Sequence, residues 1–408
     1  MANCRFCNNF LQTNFVDLGK SPLSNSFLKK QELSKIEKQY PLHAYVCTKC
    51  LLVQLEEFEK PEQIFSEYVY FSSYSKTWLE HAKEYTNLMI SKMKLNESSK
   101  VIEIASNDGY LLQFFRDNKI PVLGIEPAQN IAKIAQEKNI PTISKFFGSQ
   151  IAKNLSSEGV YADLLLGNNV LAHVPDLNDF VKGMKIILKK HGIITMEFPH
   201  LLQLIKNNQF DTIYHEHFSY FSFLTVQKIF SFHKLTIFDV TELSTHGGSL
   251  RIFAKHEEDD TKQINKNVNI LNQKEMDFGL NKISNYEYFQ ERIEKIKNNL
   301  KDFFVKAMND EKKIVGYGAP AKGNTLLNYC EIDNKLMDFT VDLSKHKQGL
   351  YLPGTHIPIY DPKKIKDVKP DYIFILPWNL KNEIMTQLEF IREWGGKFVI
   401  PIPEVKIL

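Results

Sequence analysis

Short apolar runs alternate with helix-like stretches along the middle of the chain. The runs have the length of strands and lie at residues 101–105, 122–125, 162–167 and 192–197. Helix-like patterns cover residues 110–115 and 128–138, and an earlier helix is predicted from about residue 78 to residue 93. Strands that alternate with helices are typical of a parallel, doubly wound sheet. The pattern therefore predicts a Rossmann-like α/β domain, which we place at residues 76–256.

A second set of strand-length runs follows a stretch rich in Lys, Asn, Glu and Asp. That charged stretch covers residues 257–300, and its composition favours a solvated connector with a long exposed helix. The apolar runs after it lie at residues 313–318, 339–341, 372–376 and 397–400. They predict a second Rossmann-like α/β domain over residues 301–408. Residues 1–75 contain few long periodic segments and form a separate N-terminal module.

Four of the five cysteines lie in two Cys-x-x-Cys pairs within that module. The pairs are Cys4 with Cys7 and Cys47 with Cys50, and 39 residues separate them. Four thiolates at this spacing can bind Zn²⁺ tetrahedrally, which leaves no open position for chemistry and predicts a structural metal. Two disulfides are the alternative. Because the chain opens without an apolar signal segment, we expect a cytoplasmic protein with reduced thiols, which favours zinc.

Composition and charge narrow the classes of partner. The chain has 408 residues, a hydrophobic content of 43% and a net charge of +3, which is ordinary for a globular protein of two to four domains. No basic stripe interleaved with aromatic residues indicates a nucleic-acid surface. No apolar run approaches the roughly 18 to 20 residues that span a bilayer. We expect neither nucleic acid nor a membrane as partner, and three domains with their own interfaces could suffice as a monomer.

The turn after the first strand of the middle domain is E-I-A-S-N-D-G-Y, residues 103–110. It lacks the three glycines of a dinucleotide fingerprint, but a cofactor without pyrophosphate, such as S-adenosylmethionine, needs no such turn. Glu103 or Asp108 could accept hydrogen bonds from its ammonium group, and Gly109 would let the backbone approach. Glu126 ends the second strand, where its two oxygens could bind both ribose hydroxyls. Each residue alone is more often a cap or surface charge; together they favour a methyltransferase cofactor site.

A glycine-rich turn, G-Y-G-A-P-A-K-G-N-T, opens the C-terminal α/β domain at residues 316–325. Its backbone N–H groups could bind a phosphate, and Lys322 would add positive charge. We assign Gly318 and Lys322 to substrate binding, although a tight turn without a ligand explains the pattern equally well. No acidic residue is recognised at the end of the following strand in the ribose-binding role.

Residues 211–220 are dense in acid–base groups and lie past the fourth strand of the middle domain. Reactive groups in open α/β sheets gather outside the carboxyl ends of the strands, and histidine can exchange protons at neutral pH. We therefore predict that His217 acts in catalysis with Glu216 and Tyr214. A structural role is the commoner one for a single histidine in an aromatic stretch, and His215 with His217 could instead bind a second metal.

A third polar group follows the third strand, at the position where methyltransferases often place substrate contacts. Its members are Asn168, Asn169 and His173. We assign Asn168 to the cofactor, and Asn169 and His173 to the substrate.

Taken together, these motifs resemble a known family, the three-domain, S-adenosylmethionine-dependent C-methyltransferases that act on nucleotide-linked keto-sugars. The resemblance covers essentially the whole chain, including the cysteine pairs, the cofactor turn, G-N-N-V-L-A-H-V-P-D and Y-H-E-H-F-S-Y-F. Its most distinctive strings are G-Y-G-A-P-A-K-G-N-T-L-L-N-Y and K-Q-G-L-Y-L-P-G-T-H-I-P-I. It implies S-adenosylmethionine and structural Zn²⁺ as cofactors and a nucleotide-linked keto-sugar as substrate.

The resemblance also implies a reaction. The 4-keto group of the sugar acidifies the neighbouring C3–H, a histidine removes that proton, and the enolate carbon attacks the sulfonium methyl. His217 matches the base of the family, and Glu216 and Tyr214 match its close partners. Asn169 and His173 match residues near the sugar. The nucleotide would lie between the middle and C-terminal domains.

Three other functions stay open on the sequence. An NAD-dependent sugar oxidoreductase or epimerase would use the glycine-rich turn, but no Tyr-x-x-x-Lys pair supports it. A non-catalytic zinc-containing binding protein is disfavoured by the intact Tyr-His-Glu-His segment. An O- or N-methyltransferase acting on a nucleotide sugar is the closest alternative, because it would share the cofactor site and need no carbon acid.

Overall fold

In the computed structural model, which describes residues 2–59 and 72–408, the chain folds into three β-sheets and the helices that cover them. The strands are β1 (Thr13–Ser21), β2 (Tyr40–Val46), β3 (Val53–Leu55), β4 (Val101–Ile104), β5 (Val122–Ile125), β6 (Thr142–Ile143), β7 (Ala162–Asn168), β8 (Leu188–Pro199), β9 (Ser219–Tyr220), β10 (Leu235–Leu243), β11 (Ser249–His256), β12 (Ile314–Tyr317), β13 (Thr340–Val341), β14 (Ile359–Tyr360), β15 (Tyr372–Ile375), β16 (Lys397–Ile400) and β17 (Lys406–Ile407). The helices are α1 (Lys76–Met93), α2 (Leu112–Asp117), α3 (Gln129–Glu137), α4 (Ser149–Ser157), α5 (Leu177–Ile187), α6 (Leu201–Lys206), α7 (Phe223–Phe232), α8 (Lys266–Phe278), α9 (Ser284–Glu287), α10 (Phe289–Asn309), α11 (Ala321–Tyr329), α12 (Lys364–Val368) and α13 (Lys381–Gln387). None of these helices is long and apolar enough to cross a membrane.

The central sheet has the strand order β10-β11-β8-β7-β4-β5-β6. The five strands from β8 to β6 in this order run parallel, and β11 is antiparallel to both of its neighbours. Every residue of β4 and β5 is buried, as expected for strands covered on both faces. The doubly wound sheet predicted for the middle of the chain is confirmed. The carboxyl ends of β4, β5, β7 and β8 meet at one edge of it.

The C-terminal sheet has the order β14-β13-β12-β15-β16-β17. Its strands are parallel except for β17, which pairs antiparallel with β16. The glycine-rich turn leads from β12, in the middle of this sheet, into α11. The second Rossmann-like unit is therefore confirmed, and its phosphate-type turn lies at the carboxyl edge of the sheet.

The N-terminal sheet is completed by a strand from the middle of the chain. Its order is β1-β2-β3-β9, and β9 pairs antiparallel with β3 so that Ser219 lies opposite Gln54. Next to this pair the Leu55 N–H donates to the Phe218 carbonyl at 3.0 Å. The pattern analysis located none of these strands, because β3 and β9 are very short and β1 contains register shifts. The predicted catalytic segment is thus hydrogen-bonded to the N-terminal module.

The charged connector is less exposed than its composition indicates. Its last helix, α10, runs through residue 300 to Asn309, so the predicted domain boundary at 300 lies inside a helix. Apolar residues at three- and four-residue spacing bury one face of it, namely Phe289, Ile293, Ile296, Leu300 and Phe304. Phe289 stacks on Phe15 of β1 at 4.8 Å, and Phe304 packs against Phe374 of β15 at 5.2 Å. The expectation of an exposed helix is corrected: charges occupy the outer face of an amphipathic helix that joins two sheets.

Candidate active site and zinc site

The sulfur atoms of the four paired cysteines lie together. The Sγ atoms of Cys4, Cys7, Cys47 and Cys50 are all within 4.8 Å of one another, and none is in a disulfide. The pairs Cys4–Cys50 and Cys7–Cys47 are each separated by 3.5 Å, near the roughly 3.8 Å between thiolates around tetrahedral zinc. Gln54 donates from Nε2 to Cys4 Sγ at 3.2 Å, a bond that suits a thiolate. The donor set fits Zn²⁺, as the spacing predicted.

The two cysteine pairs fold as the same turn. The Asn8 N–H donates to the Cys4 carbonyl at 2.9 Å, and the Leu51 N–H donates to the Cys47 carbonyl at 2.8 Å. Asn8 and Leu51 both adopt left-handed conformations, with φ of 57° and 66°. Each turn reverses the chain directly after its second cysteine and aims both thiols of the pair at one point.

Glu126 supports the turn that follows β4. The Asn107 N–H donates to Glu126 Oε2 at 3.0 Å, and the Ala128 N–H donates to Oε1 at 2.9 Å. Within the turn, Ala105, Asn107 and Gly109 have φ of 55°, 49° and 76°, an alternation that costs backbone energy and is typical of ligand-binding turns. Burial raises the pKa of Glu126. The carboxylate ends β5 beside the turn, as predicted for a ribose-binding residue.

The two carboxylates predicted to meet the ammonium group have different surroundings. Glu103 is fully buried, and neither of its carboxylate oxygens has a hydrogen-bond partner. Burial, with contributions from Glu126 and Asp108, raises the pKa of Glu103 well above its usual value. Asp108 instead accepts from Lys138 Nζ at 2.9 Å and from the Ser73 hydroxyl. Glu103 therefore fits a cationic ligand group, whereas one oxygen of Asp108 is committed to an ion pair.

Gly109 lies within the turn after β4, and Asn168 lies on the neighbouring strand β7. Gly109 has φ of 76°, a conformation that other residues rarely adopt, so the backbone alone already favours glycine. Asn168 ends β7, and its Nδ2 is buried without a hydrogen-bond partner. This donor adds a second unsatisfied polar group to the edge where Glu103 lies.

The structure defines the tautomer of His217. Its Nδ1 lies 2.9 Å from the Thr212 carbonyl, which can only accept, so Nδ1 carries the proton. Its Nε2 lies 2.9 Å from the Tyr214 hydroxyl, which donates to it. Burial, with contributions from His173 and His246, lowers the pKa of His217 well below its usual value. The ring is therefore neutral at pH 7, with its lone pair on Nε2.

Residues adjacent to His217 in sequence face the N-terminal module. Glu216 is 3% exposed and accepts from Asn25 Nδ2 at 2.6 Å, and burial raises its pKa to about 7. Because both ring nitrogens of His217 have other partners, Glu216 does not orient that ring. His215 donates from Nε2 to the Pro41 carbonyl at 3.1 Å. The two histidines thus point at different backbone groups, and the geometry does not support a second metal between them.

Of the predicted substrate residues, His173 lies beside His217 and Asn169 lies beside His246. The ring centroids of His173 and His217 are 4.7 Å apart, and burial lowers the pKa of His173 to about 4. Asn169 follows β7 with φ of 55°, and its Nδ2 donates to His246 Nε2 at 3.2 Å. His246, which the sequence analysis did not single out, is exposed to solvent although protein surrounds it. That combination is expected for a side chain that lines a cleft.

The glycine-rich turn has the acidic residue that the pattern analysis did not recognise. Asp342 directly follows β13, and its Oδ2 accepts from the Ala319 N–H in the turn at 2.7 Å. The expectation that no acidic residue ends this strand is wrong. The predicted run at residues 339–341 ends where β13 ends, but the acid directly after it was not recognised. Gly318 has φ of 88°, and a Cβ there would lie 2.6 Å from Pro377 Cδ.

Lys322 lies where the C-terminal unit meets residues 211–220, the predicted catalytic segment. Its Nζ is 4.2 Å from the centre of the Trp378 ring and donates to Asn379. The Trp378 Nε1–H donates to Asp211 Oδ2 at 2.6 Å, which connects the two units. Burial lowers the pKa of Lys322 to about 8, against the effect of Asp211. The turn therefore places a cation beside the segment that contains His217.

A buried carboxylate network was missed by the sequence analysis. Glu197, on β8, is fully buried and accepts from Arg251 Nη2 at 2.7 Å and from Thr245 Oγ1 at 3.0 Å. His81 Nε2 lies 2.9 Å from Glu197 Oε2, and Trp78 stacks on His81 with ring centroids 4.9 Å apart. Burial favours the neutral acid, but His81 and Arg251 hold the pKa of Glu197 below its usual value. These residues come from α1, β8, β11 and the turn before β11, so no local sequence motif predicts the network.

Known proteins match the chain along its length. Family models match as a putative zinc binding domain over residues 4–65, a methyltransferase domain over residues 78–235 and a C-methyltransferase C-terminal domain over residues 244–403. The C-methyltransferase NovU of Streptomyces niveus is 32% identical over 405 residues, which cover 99% of this chain and 96% of that protein.

Solved structures share part of the fold. The PH0226 protein from Pyrococcus horikoshii OT3 is 17% identical with a TM-score of 0.38, covering 49% of this chain and 99% of that one. An S-adenosylmethionine-dependent methyltransferase from Clostridium acetobutylicum ATCC 824 is 12% identical with a TM-score of 0.35, covering 44% of this chain and 92% of that one.

The matching family models and the full-length relative define the class of protein. We name the edge of the central sheet where β4, β5, β7 and β8 end the cofactor edge. It is an S-adenosylmethionine-dependent methyltransferase, and its N-terminal thiolates bind zinc. More narrowly, the chain belongs to the C-methyltransferase family in which a zinc-binding domain, a methyltransferase domain and a dedicated C-terminal domain follow one another. Membership sets aside the oxidoreductase and the non-catalytic scaffold and favours carbon over oxygen or nitrogen as the acceptor atom.

Proposed function

We propose that the protein methylates the carbon next to the ketone of a nucleotide-linked 4-keto-6-deoxy sugar, with His217 as the base. The observation that carries this proposal is the neutral ring of His217, protonated on Nδ1 and basic on Nε2. A carbon acid next to a carbonyl needs a positioned base of this kind before it can act as a nucleophile.

The tautomer decides which nitrogen takes the proton. Because the Thr212 carbonyl keeps the proton on Nδ1, the proton of the substrate C–H bond passes to Nε2. The Tyr214 hydroxyl, 2.9 Å from Nε2, donates to this lone pair in the structure, so it must turn away from Nε2 before the substrate proton can be taken up there. A base whose pKa lies well below 6.5 is neutral at pH 7 and releases the captured proton readily once the methyl group has moved.

Neutral hydrogen-bond donors near His217 would stabilise the negative charge that develops on the ketone oxygen. Burial lowers the pKa of His173 to about 4, so its ring is neutral at pH 7. The Asn169 amide lies on the same side of the sheet, next to His246. Each donor aimed at such an oxygen typically lowers the barrier by about 3–4 kcal/mol. The set therefore supports enolate formation beside His217.

Residues at the cofactor edge would bind and orient S-adenosylmethionine, the second reactant. When bound, S-adenosylmethionine supplies an electrophilic methyl group on a positively charged sulfur. Glu103, buried without hydrogen-bond partners, would hold the ammonium group of the cofactor, and Glu126 would hold its ribose. Since methyl transfer needs mainly alignment of carbon, methyl and sulfur, these residues contribute by orientation.

The nucleotide would lie between the middle and C-terminal units. Lys322 brings a positive charge to this junction, and α11 begins there with the N–H groups of its first turn. A helix N-terminus after a glycine-rich turn, combined with a lysine, favours phosphate groups. Gly318 belongs to the same turn and is assigned with Lys322 to the diphosphate.

The test is mass spectrometry of nucleotide-linked 4-keto-6-deoxy sugars incubated with the protein in deuterated water. With S-adenosylmethionine present, the sugar should gain one methyl group. With S-adenosylhomocysteine in its place, deuterium should enter the carbon next to the ketone, because the base can exchange the proton while methyl transfer is blocked.

His217→Asn should abolish both the exchange and the methyl gain, and His43→Asn, on the surface of the N-terminal sheet, should change neither. Cofactor affinity should be nearly equal in both variants. A methyl gain without exchange would contradict the enolate route, and exchange that persists in His217→Asn would show that another group is the base.

A further inference from the structure

An indole ring lies above the centre of the cofactor edge. Trp78 is in the first turn of α1, and its ring centroid is 4.9 Å from His81, 5.2 Å from His246 and 6.1 Å from Tyr110. The ring is neither fully buried nor fully exposed. None of the assignments made above for substrate, zinc or base includes it.

The neighbours of this indole come from three parts of the chain. His81 lies on α1 itself, Tyr110 ends the turn after β4, and His246 lies in the turn between β10 and β11. His246 accepts from Asn169, which follows β7, and His81 lies 2.9 Å from Glu197 of β8. These contacts link Trp78 to residues at the carboxyl ends of β7 and β8, and Tyr110 links it to β4. The ribose-binding carboxylate lies to one side of it, on β5.

The first turn of α1 is held in place by a charged network. Glu197 is fully buried between His81 and Arg251, which donates to it at 2.7 Å. Because removing one partner of a buried charge is costly, this network fixes the position of His81 and, through stacking, of Trp78. An indole that is held in this way and remains partly exposed is preorganised to meet a ligand.

We propose that Trp78 contacts the sulfonium group of S-adenosylmethionine and makes the protein discriminate the methyl donor from its demethylated product. With the ribose toward Glu126 of β5 and the ammonium toward Glu103 of β4, the sulfur that joins them would lie near the turn after β4, where Tyr110 contacts the indole. The face of an indole attracts cations. S-adenosylhomocysteine carries a neutral thioether, loses this attraction and leaves more easily. The inference rests on the cofactor of the family and not on the proposed sugar substrate.

The first test is calorimetric titration of the protein with each cofactor form in the absence of sugar. Trp78→Leu should weaken S-adenosylmethionine binding about tenfold while changing S-adenosylhomocysteine affinity by less than about twofold. Trp78→Phe, which keeps a smaller aromatic face, should lose about threefold or less. Trp394→Leu, in the C-terminal unit, is the matched control and should change neither affinity.

Equal losses for both ligands in Trp78→Leu would overturn the proposal, because they would indicate shape or packing instead of charge. A folded variant with unchanged affinities would overturn it as well.

Should Trp78→Leu fail to fold, a fluorescence measurement tests the proposal instead. The chain has three tryptophans, so Trp378→Phe combined with Trp394→Phe leaves Trp78 as the sole emitter. Its emission should be quenched more by S-adenosylmethionine than by S-adenosylhomocysteine, and equal responses would contradict the inference.

Discussion

At the scale of residues, one backbone carbonyl and one hydroxyl determine what His217 can do. The Thr212 carbonyl fixes the proton on Nδ1, and the Tyr214 hydroxyl meets the lone pair on Nε2. Burial then keeps the ring neutral. A histidine in water would be partly protonated near pH 6.5, whereas this one remains a base throughout the neutral range.

The pH profile should report this lowered pKa. Because the active form of His217 is neutral, activity is retained above its folded pKa and lost only below it. We expect the acidic limb of kcat/KM that belongs to His217 to lie well below the ordinary histidine pKa of 6.5. Since burial raises the pKa of Glu216 to about 7, a limb near pH 7 that vanishes in Glu216→Gln would belong to Glu216. A limb near 6.5 that persists in Glu216→Gln would contradict the lowered pKa of His217.

Glu126 gives a second prediction at this scale. Glu126→Gln keeps the size of the side chain but removes a charged acceptor, and S-adenosylmethionine affinity should fall about tenfold or more. Isothermal titration measures the change. Glu137→Gln, at the exposed end of α3, should bind like the unaltered protein. An unchanged affinity in Glu126→Gln would remove Glu126 from the cofactor site.

At the scale of elements, the two-residue strand β9 connects the proposed catalytic segment, residues 211–220, to the zinc-binding module. β9 pairs with β3 of the N-terminal sheet and follows His217 by two positions. Thr225, in α7, donates to the carbonyl of the zinc ligand Cys50 at 3.2 Å. The zinc site therefore stabilises the sheet against which the catalytic segment is formed.

Cys47→Ser should yield protein with less zinc, a lower melting temperature and little activity. Structural zinc sites contribute about 10–16 kcal/mol of apparent binding energy. Losing even part of this energy should lower the melting temperature by roughly 10 °C or more. Metal analysis and circular dichroism measure both effects. Cys330→Ala removes a buried thiol far from the site and should keep its zinc. A stable, active Cys47→Ser protein would refute a structural metal.

At the scale of the whole molecule, the three units share hydrophobic cores. Residues of β1, of α10 and of the C-terminal sheet belong to one continuous core. Asn25 of the N-terminal module contacts Glu216, and Lys322 of the C-terminal unit approaches Trp378 and Asp211. All three units therefore contribute to the surroundings of the catalytic segment.

Lys322→Met tests the role of the C-terminal unit. We expect KM for the nucleotide sugar to rise about tenfold or more, because a charged hydrogen-bond donor to phosphate is lost. S-adenosylmethionine affinity should stay unchanged, since that site is on the central sheet. Lys335→Met, an exposed position in the same unit, is the control. Steady-state kinetics with a fixed cofactor concentration measures the effect, and an unaltered KM would exclude Lys322 from substrate binding.

The sequence by itself determined the features that depend on neighbours in the chain. The cysteine pairs, the strand–turn–helix around Glu103 and the acid that ends β5 each reflect hydrogen bonding or periodicity over a few residues. For that reason the apolar runs predicted β5 and β16 with their observed ends. The histidine-rich segment was also recognisable, because several acid–base groups are adjacent in the chain.

Only the tertiary structure decided which distant residues meet. The contact of Asn169 with His246, the hydrogen bond of Asp342 to the glycine-rich turn and the pairing of β9 with β3 join segments far apart in sequence. Such contacts arise from packing of whole elements, and short strands such as β3 and β9 leave too little periodicity to locate. The same packing fixed Trp78, since His81, which stacks on it from the same helix, is held by the buried Glu197 and Arg251 of other elements.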